Sequence, residues 1–164
     1  MNMHNKKLMA FALLFISGSA LAGPLQLQRP VPLAEDNDIS QAVKQECALG
    51  EQLADFIREY AQEPVEFTEG EPDTSNGRVL KLEIVDAVSM GNAFMGHHKS
   101  TRVRGTLYQD GEKVASFKAR RNSMGGAFAG FKGSCSVLGR TIKVVGQDIG
   151  QWLRAPADGV NLGD

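Results

Sequence analysis

The chain has 164 residues, with 18 Lys and Arg against 19 Asp and Glu, a net charge of −1, 42% hydrophobic residues and two cysteines. That length suits one domain with a hydrophobic core. The near-balanced charge gives no global attraction to a polyanion, so no nucleic-acid partner is expected.

Lys6 and Lys7 precede an apolar run from Leu8 to Ile16, which leads through Ser17-Gly18-Ser19 to the small-residue pattern Ala20-Leu21-Ala22. This is the layout of a secretory signal peptide over residues 1–22. The apolar run is shorter than the roughly 20 residues needed to span a bilayer, and no later stretch is longer, so no transmembrane segment is expected in the mature chain. No Cys stands just after the cleavage pattern, which argues against lipid anchoring. The expected localisation is periplasmic or secreted, in a bacterium, and loss of Lys6 and Lys7 makes the mature charge more acidic.

Residues 23–37 contain Pro24, Pro30 and Pro32 and predict an extended arm or an edge strand. A helix is then predicted from Asp38 as N-cap, with Gln41 three residues on. Ile39, Val43, Cys47, Leu53, Ile57 and Tyr60 keep a helical period. Pro64 ends it, and Glu66 to Gly77 is an acidic stretch with turn signals at Pro72 and Asn76-Gly77. From Arg78 the period is two: Leu80, Leu82, Ile84 and Val88 share a face while Lys81 and Glu83 take the other. Asp86 falls on the apolar side, through either a bulge that turns it outward or a buried partner.

Two more strands, Thr101 to Tyr108 and Lys113 to Arg121, join around Asp110-Gly111, a hairpin signal. A three-residue loop with Gly111 in a left-handed bulge pairs Val103 with Phe117 and Arg102 with Lys118, keeping apolar residues on one face. The second helix is predicted over Ser134–Leu153, with Leu138, Ile142, Val145, Ile149 and Trp152 as its buried stripe. Gly139, Gly146 and Gly150 form a ridge suited to close approach of another backbone, with Gly50 as the expected counterpart. The remainder, 156–164, reads as a flexible tail behind a single domain over 38–155. The fold class is α+β: an antiparallel meander of three or more strands with two helices packed on one face.

Cys47 and Cys135 sit on the apolar sides of the two helices, and an oxidising compartment favours a disulfide between them. Such a bridge closes a loop of about ninety residues and contributes about 4–5 kcal/mol in the chain-entropy model. A reactive Cys135 at a helix start is the competing reading.

Ser89-Met90-Gly91-Asn92-Ala93-Phe94-Met95-Gly96 and Ser123-Met124-Gly125-Gly126-Ala127-Phe128-Ala129-Gly130 share the pattern S-M-G-x-A-F-x-G. Each follows a strand. In a meander the first and third strands run the same way, so the loops 89–100 and 122–133 leave from one end of the sheet. Phe94, Met95, His97, His98, Phe128 and Phe131 then form a candidate partner-binding surface, with large area on glycine hinges. Alternatively, the rings fold back to cap the core. Met90, Met95, His97 and His98 also offer soft ligands of the kind copper takes, which makes a periplasmic copper-binding protein the second reading. Arg102, Arg104, Lys118 and Arg120 line a basic sheet face that suits phosphate head groups, lipopolysaccharide or acidic glycans, or simple solvation.

No Ser/His/Asp arrangement, phosphate loop or dinucleotide fingerprint is present, so no catalytic residue, enzyme activity or cofactor is expected. The order of a helix, three strands, a Gly-rich segment and a closing helix ending Gly146-Gln147-Asp148-Ile149-Gly150-Gln151-Trp152-Leu153 resembles small exported bacterial envelope proteins of unknown function. It is also loosely similar to the α/β domain of the TolB amino-terminal and curli-secretion lipoprotein type. The resemblance implies a non-catalytic envelope component that binds a protein or envelope partner or self-associates.

Overall fold

The structure, a computed structural model, describes residues 23–92, 96–124 and 133–163, and at 89–92, 96–98, 124 and 134 the backbone alone. Six strands and three helices form an α+β fold. The strands are β1 (Leu25–Gln28), β2 (Val65–Thr68), β3 (Arg78–Asn92), β4 (Gly96–Gln109), β5 (Glu112–Met124) and β6 (Val160–Gly163). The helices are α1 (Gln41–Glu46), α2 (Leu49–Tyr60) and α3 (Ser134–Trp152). They make one mixed sheet in the order β2-β1-β3-β4-β5-β6, whose centre is the expected antiparallel β3–β4–β5 meander.

Short parallel strands extend the meander on both sides. β1 pairs with both β2 and β3, so it is an interior strand rather than an arm or edge, with Leu25 and Leu27 fully buried. Its four residues fit between Pro24 and Pro30, so the prolines bound the strand without interrupting its ladder. After β1 the chain stays beside β3: Ile84 donates to the Pro32 carbonyl at 2.9 Å and Ala34 donates to that of Ile84 at 3.0 Å. At the other end Val160–Gly163 pairs with β5 as β6, where the sequence suggests a tail.

The first predicted helix is two. Ser40, not Asp38, caps α1, its hydroxyl accepting from the Val43 amide at 3.4 Å. Ala48 then takes a left-handed conformation (φ 44°) that ends α1 and starts α2, and the Gln52 side chain donates to the freed Cys47 carbonyl at 2.6 Å. The break puts Cys47 against α3, where it is bonded to Cys135 with the Cα atoms 4.9 Å apart, 88 residues distant in sequence.

α3 follows the expected stripe: Leu138, Ile142, Val145, Ile149 and Trp152 are buried, and the Trp152 ring meets Phe117 edge-on at 4.7 Å. Its glycine ridge packs on α2, but not on Gly50. A Cβ on Gly146 would lie 2.6 Å from that of Phe56, and one on Gly150 would lie 2.8 Å from the Tyr60 backbone. Gly50 instead lets α2 approach Val31, whose amide donates to the Gly50 carbonyl at 3.1 Å.

The hairpin departs from expectation by two residues of register. Asp110 (φ 50°) and Gly111 (φ 89°) make a two-residue turn, and the extra residue is Val114 of β5, left unpaired opposite the Leu107–Tyr108 step. Val103 therefore pairs with Ala119, Arg102 with Arg120, Arg104 with Lys118, and Gly105 with Phe117. Both routes keep the apolar face intact, because a shift of two preserves side-chain parity. Packing favours the observed one: the Phe117 ring lies over Gly105, where a Cβ would come within 2.5 Å of it.

Candidate functional site

Helix contacts define one face of the sheet. Phe117 meets Trp152, the Thr101 and Thr141 hydroxyls lie 2.7 Å apart, and Arg121 pairs with Asp148 at 2.7 Å, all toward α3. The opposite face carries Glu83, Arg102, Arg104, Lys118 and Arg120.

On that open face a bulge between Ile84 and Asp86 brings Asp86 level with Arg102. The bulge turns Asp86 from the apolar side, and its partner, Arg102 at 2.6 Å, belongs to the open face rather than to the interior. Asp86 is buried while Arg102 is half exposed. Arg104 is held by Glu83 at 2.6 Å and reaches Asp36 at 3.7 Å. The Glu83 hydrogen bond is the main reason its guanidinium sits above its ordinary pKa. Two of the four predicted basic residues are therefore compensated within the protein. Lys118 and Arg120 are exposed and have no carboxylate partner among the described residues.

A groove of about 880 Å³ runs along this face. Lys81, Arg104, Thr106, Tyr108, Ser116 and Lys118 form its floor. Pro32, Leu33 and the Glu71-Pro72 turn wall it on one side, and Gly159 and Asn161 on the other. Lys81 is paired with Glu71. The second wall is fixed by Asp158, which accepts from the Ser116 hydroxyl at 2.6 Å and pairs with Lys113 at 3.1 Å. Those two contacts, Ser116 first, hold its carboxyl below the usual range. Thr106, Tyr108 and Ser116 were legible as alternate strand positions facing away from the apolar residues. Asn161 was not, because β6 carries only four residues and follows a turn-rich stretch.

At the end of the sheet away from the Asp110-Gly111 turn, the strands run further than expected. Ser89–Asn92 belongs to β3, Gly96–Ser100 to β4 and Asn122–Met124 to β5, so His97 and His98 lie in a strand rather than a loop. Ser89 and Ser123 both stand opposite Lys99, and Met90 and Met124 both stand opposite His98. Lys99 is buried, which lowers its pKa from the ordinary value. The two repeats thus begin at the same level on either side of β4. Phe94, Met95, Phe128 and Phe131 lie outside the described residues.

The copper set gains no support: Met95 lies outside the described residues, and at Met90, His97 and His98 the backbone alone is described. Among the described residues no group of three or more His, Cys, Asp or Glu is placed to hold a metal ion. The reactive-Cys135 reading is overturned, because its sulfur is in the bridge to Cys47. Among the described residues no helix is long and apolar enough to cross a membrane.

No family model matches the chain, and no curated protein matches it. Among solved structures it is similar to a variant of the PelC dodecamer from Paraburkholderia phytofirmans, at 14% identity and a TM-score of 0.47, over 77% of this chain and 85% of that one. A second PelC dodecamer structure from the same organism gives 12% identity and a TM-score of 0.46, over 77% and 86%. A minor lipoprotein from Acinetobacter baumannii gives 11% identity and a TM-score of 0.45, over 80% and 91%. Likeness this distant leaves function to be argued from the chain's own residues.

Proposed function

We propose that this is a non-catalytic interaction domain of the bacterial cell envelope, exported to the periplasm, whose paired S-M-G-x-A-F-x-G segments present Phe94 and Phe128 to a protein or envelope partner. The observation that supports the reading is register: Ser89 with Ser123, and Met90 with Met124, flank single residues of β4, so the two segments begin level with each other on either side of that strand. Export is supported by the signal-like 1–22 and by the Cys47–Cys135 bridge, a bond that persists in oxidising compartments.

The test uses wild-type protein and the Phe94→Ser/Phe128→Ser variant as immobilised baits on the same periplasmic extract. A species retained by wild type and lost from the variant, with equal thermal stability of the two baits, is the expected result. Identical retention by both baits, or a variant that melts well below wild type, would contradict it, the latter because the rings then serve the core.

A further inference from the structure

We propose that the helix-free face binds a linear acidic polysaccharide, laid along β4 and β5 from the groove out past its end, with its carboxylates on Lys118 in the groove floor and on Arg120, two residues further along β5. Charge gives the first argument. Among the described residues, every other Lys and Arg on this face has a carboxylate of its own: Lys81 has Glu71, Arg102 has Asp86, Arg104 has Glu83 and Lys113 has Asp158. Lys118 and Arg120 have none among the described residues, stand two apart on β5, and face Arg104 and Arg102 directly across the ladder. Like charges opposite one another on a sheet are unfavourable, and an anion bound between them removes that cost. Two positions apart on a strand is about 7 Å, so the two side chains offer a spaced pair of anion sites rather than one.

Chemistry and shape narrow the ligand. The floor between the cations and the hairpin turn offers the hydroxyls of Thr106 and Tyr108, with the Asn161 amide at the wall. These are donors and acceptors suited to a polyhydroxylated chain, and an apolar peptide finds no matching stripe. From Arg104 to Tyr108 the floor extends about 14 Å at strand rise, and Arg102 and Arg120 continue the face beyond it, the length of a short oligosaccharide rather than a single sugar. Walls on both sides keep a flat bilayer from the floor. This face is separate from the ends of β3 and β5, so failure here leaves the reading of the Phe94 and Phe128 segments standing, and the reverse also holds.

The probe is polygalacturonate, titrated into the intact exported protein by calorimetry, with its fully methyl-esterified form and phosphatidylglycerol vesicles in parallel. Saturable binding to polygalacturonate is expected. Lys118→Gln and Arg120→Gln should each weaken it about tenfold, the effect of one charge-assisted hydrogen bond, and added salt should weaken it further. Lys118→Arg, which keeps the charge, and Arg154→Gln, which removes an exposed charge beyond the end of α3, should bind like wild type. Both Gln variants alter exposed residues and should melt like wild type. Equal binding of the methyl-esterified polymer, an equal loss with Arg154→Gln, binding to vesicles alone, or no saturable binding would each overturn the proposal.

Discussion

The helix face and the open face of the same three strands are organised by different forces. Toward α3, the residues of β3–β5 are Leu80, Leu82, Ile84, Val103, Leu107 and Phe117, all buried, and the cost of change is set by close packing. On the open face the rows read Glu83–Arg104–Lys118 and Asp86–Arg102–Arg120, and the cost of change is set by which charge loses its partner. The contrast teaches that close packing holds the fold from one face while charge pairing sets the other.

Substitutions should separate the two faces. The largest effect is expected from Cys47→Ser with Cys135→Ser, which releases an 88-residue separation and should lower stability by about 2–5 kcal/mol in denaturant titration. A loss below about 1 kcal/mol would mean that packing alone joins α3 to the α1–α2 junction. Next comes Gly150→Ala: the added methyl meets Tyr60 backbone at 2.8 Å, so α2 and α3 must separate, at about 1–3 kcal/mol in the same assay.

On the open face, Arg102→Ala should cost about 1–3 kcal/mol, because it strands the buried Asp86 carboxylate, one oxygen of which already has no hydrogen-bond partner. Arg104→Ala should cost less than about 1 kcal/mol, since both Arg104 and Glu83 are nearly half exposed and water replaces the pair. Measuring these two variants by thermal melts sharpens the comparison within one face. Equal losses would mean that burial of Asp86 has no energetic weight.

Much of this was legible in the sequence where periodicity is long. The α3 stripe, the alternation of β3–β5 and the two cysteines on apolar helix sides led to the meander, the helix face and the disulfide. What escaped was set by tertiary contact. Nothing in the sequence marks Ala48 for a left-handed conformation, so α1 and α2 read as one helix. β1, β2 and β6 have four residues each, too few for a period to emerge, and their partners are distant in the chain. The hairpin register hinged on where one extra residue is absorbed, and Phe117 against Gly105 decided that from the core side.

The basic face was legible as a row of cations but not as a partly neutralised one. Asp86 and Glu83 come from another strand, and Asp36 comes from the segment beside it. For the repeats, the sequence placed both at one end of the sheet, and strand pairing adds that they begin level with each other across β4.

The most direct test of the proposed shared surface is site-specific photocrosslinking in the periplasm, with a photoreactive residue at Phe94, at Phe128, or at exposed Val144 on the outer side of α3. The account predicts one adduct of the same partner mass from Phe94 and Phe128 and none from Val144. Different partners from the two Phe positions, or the same adduct from all three, would contradict it.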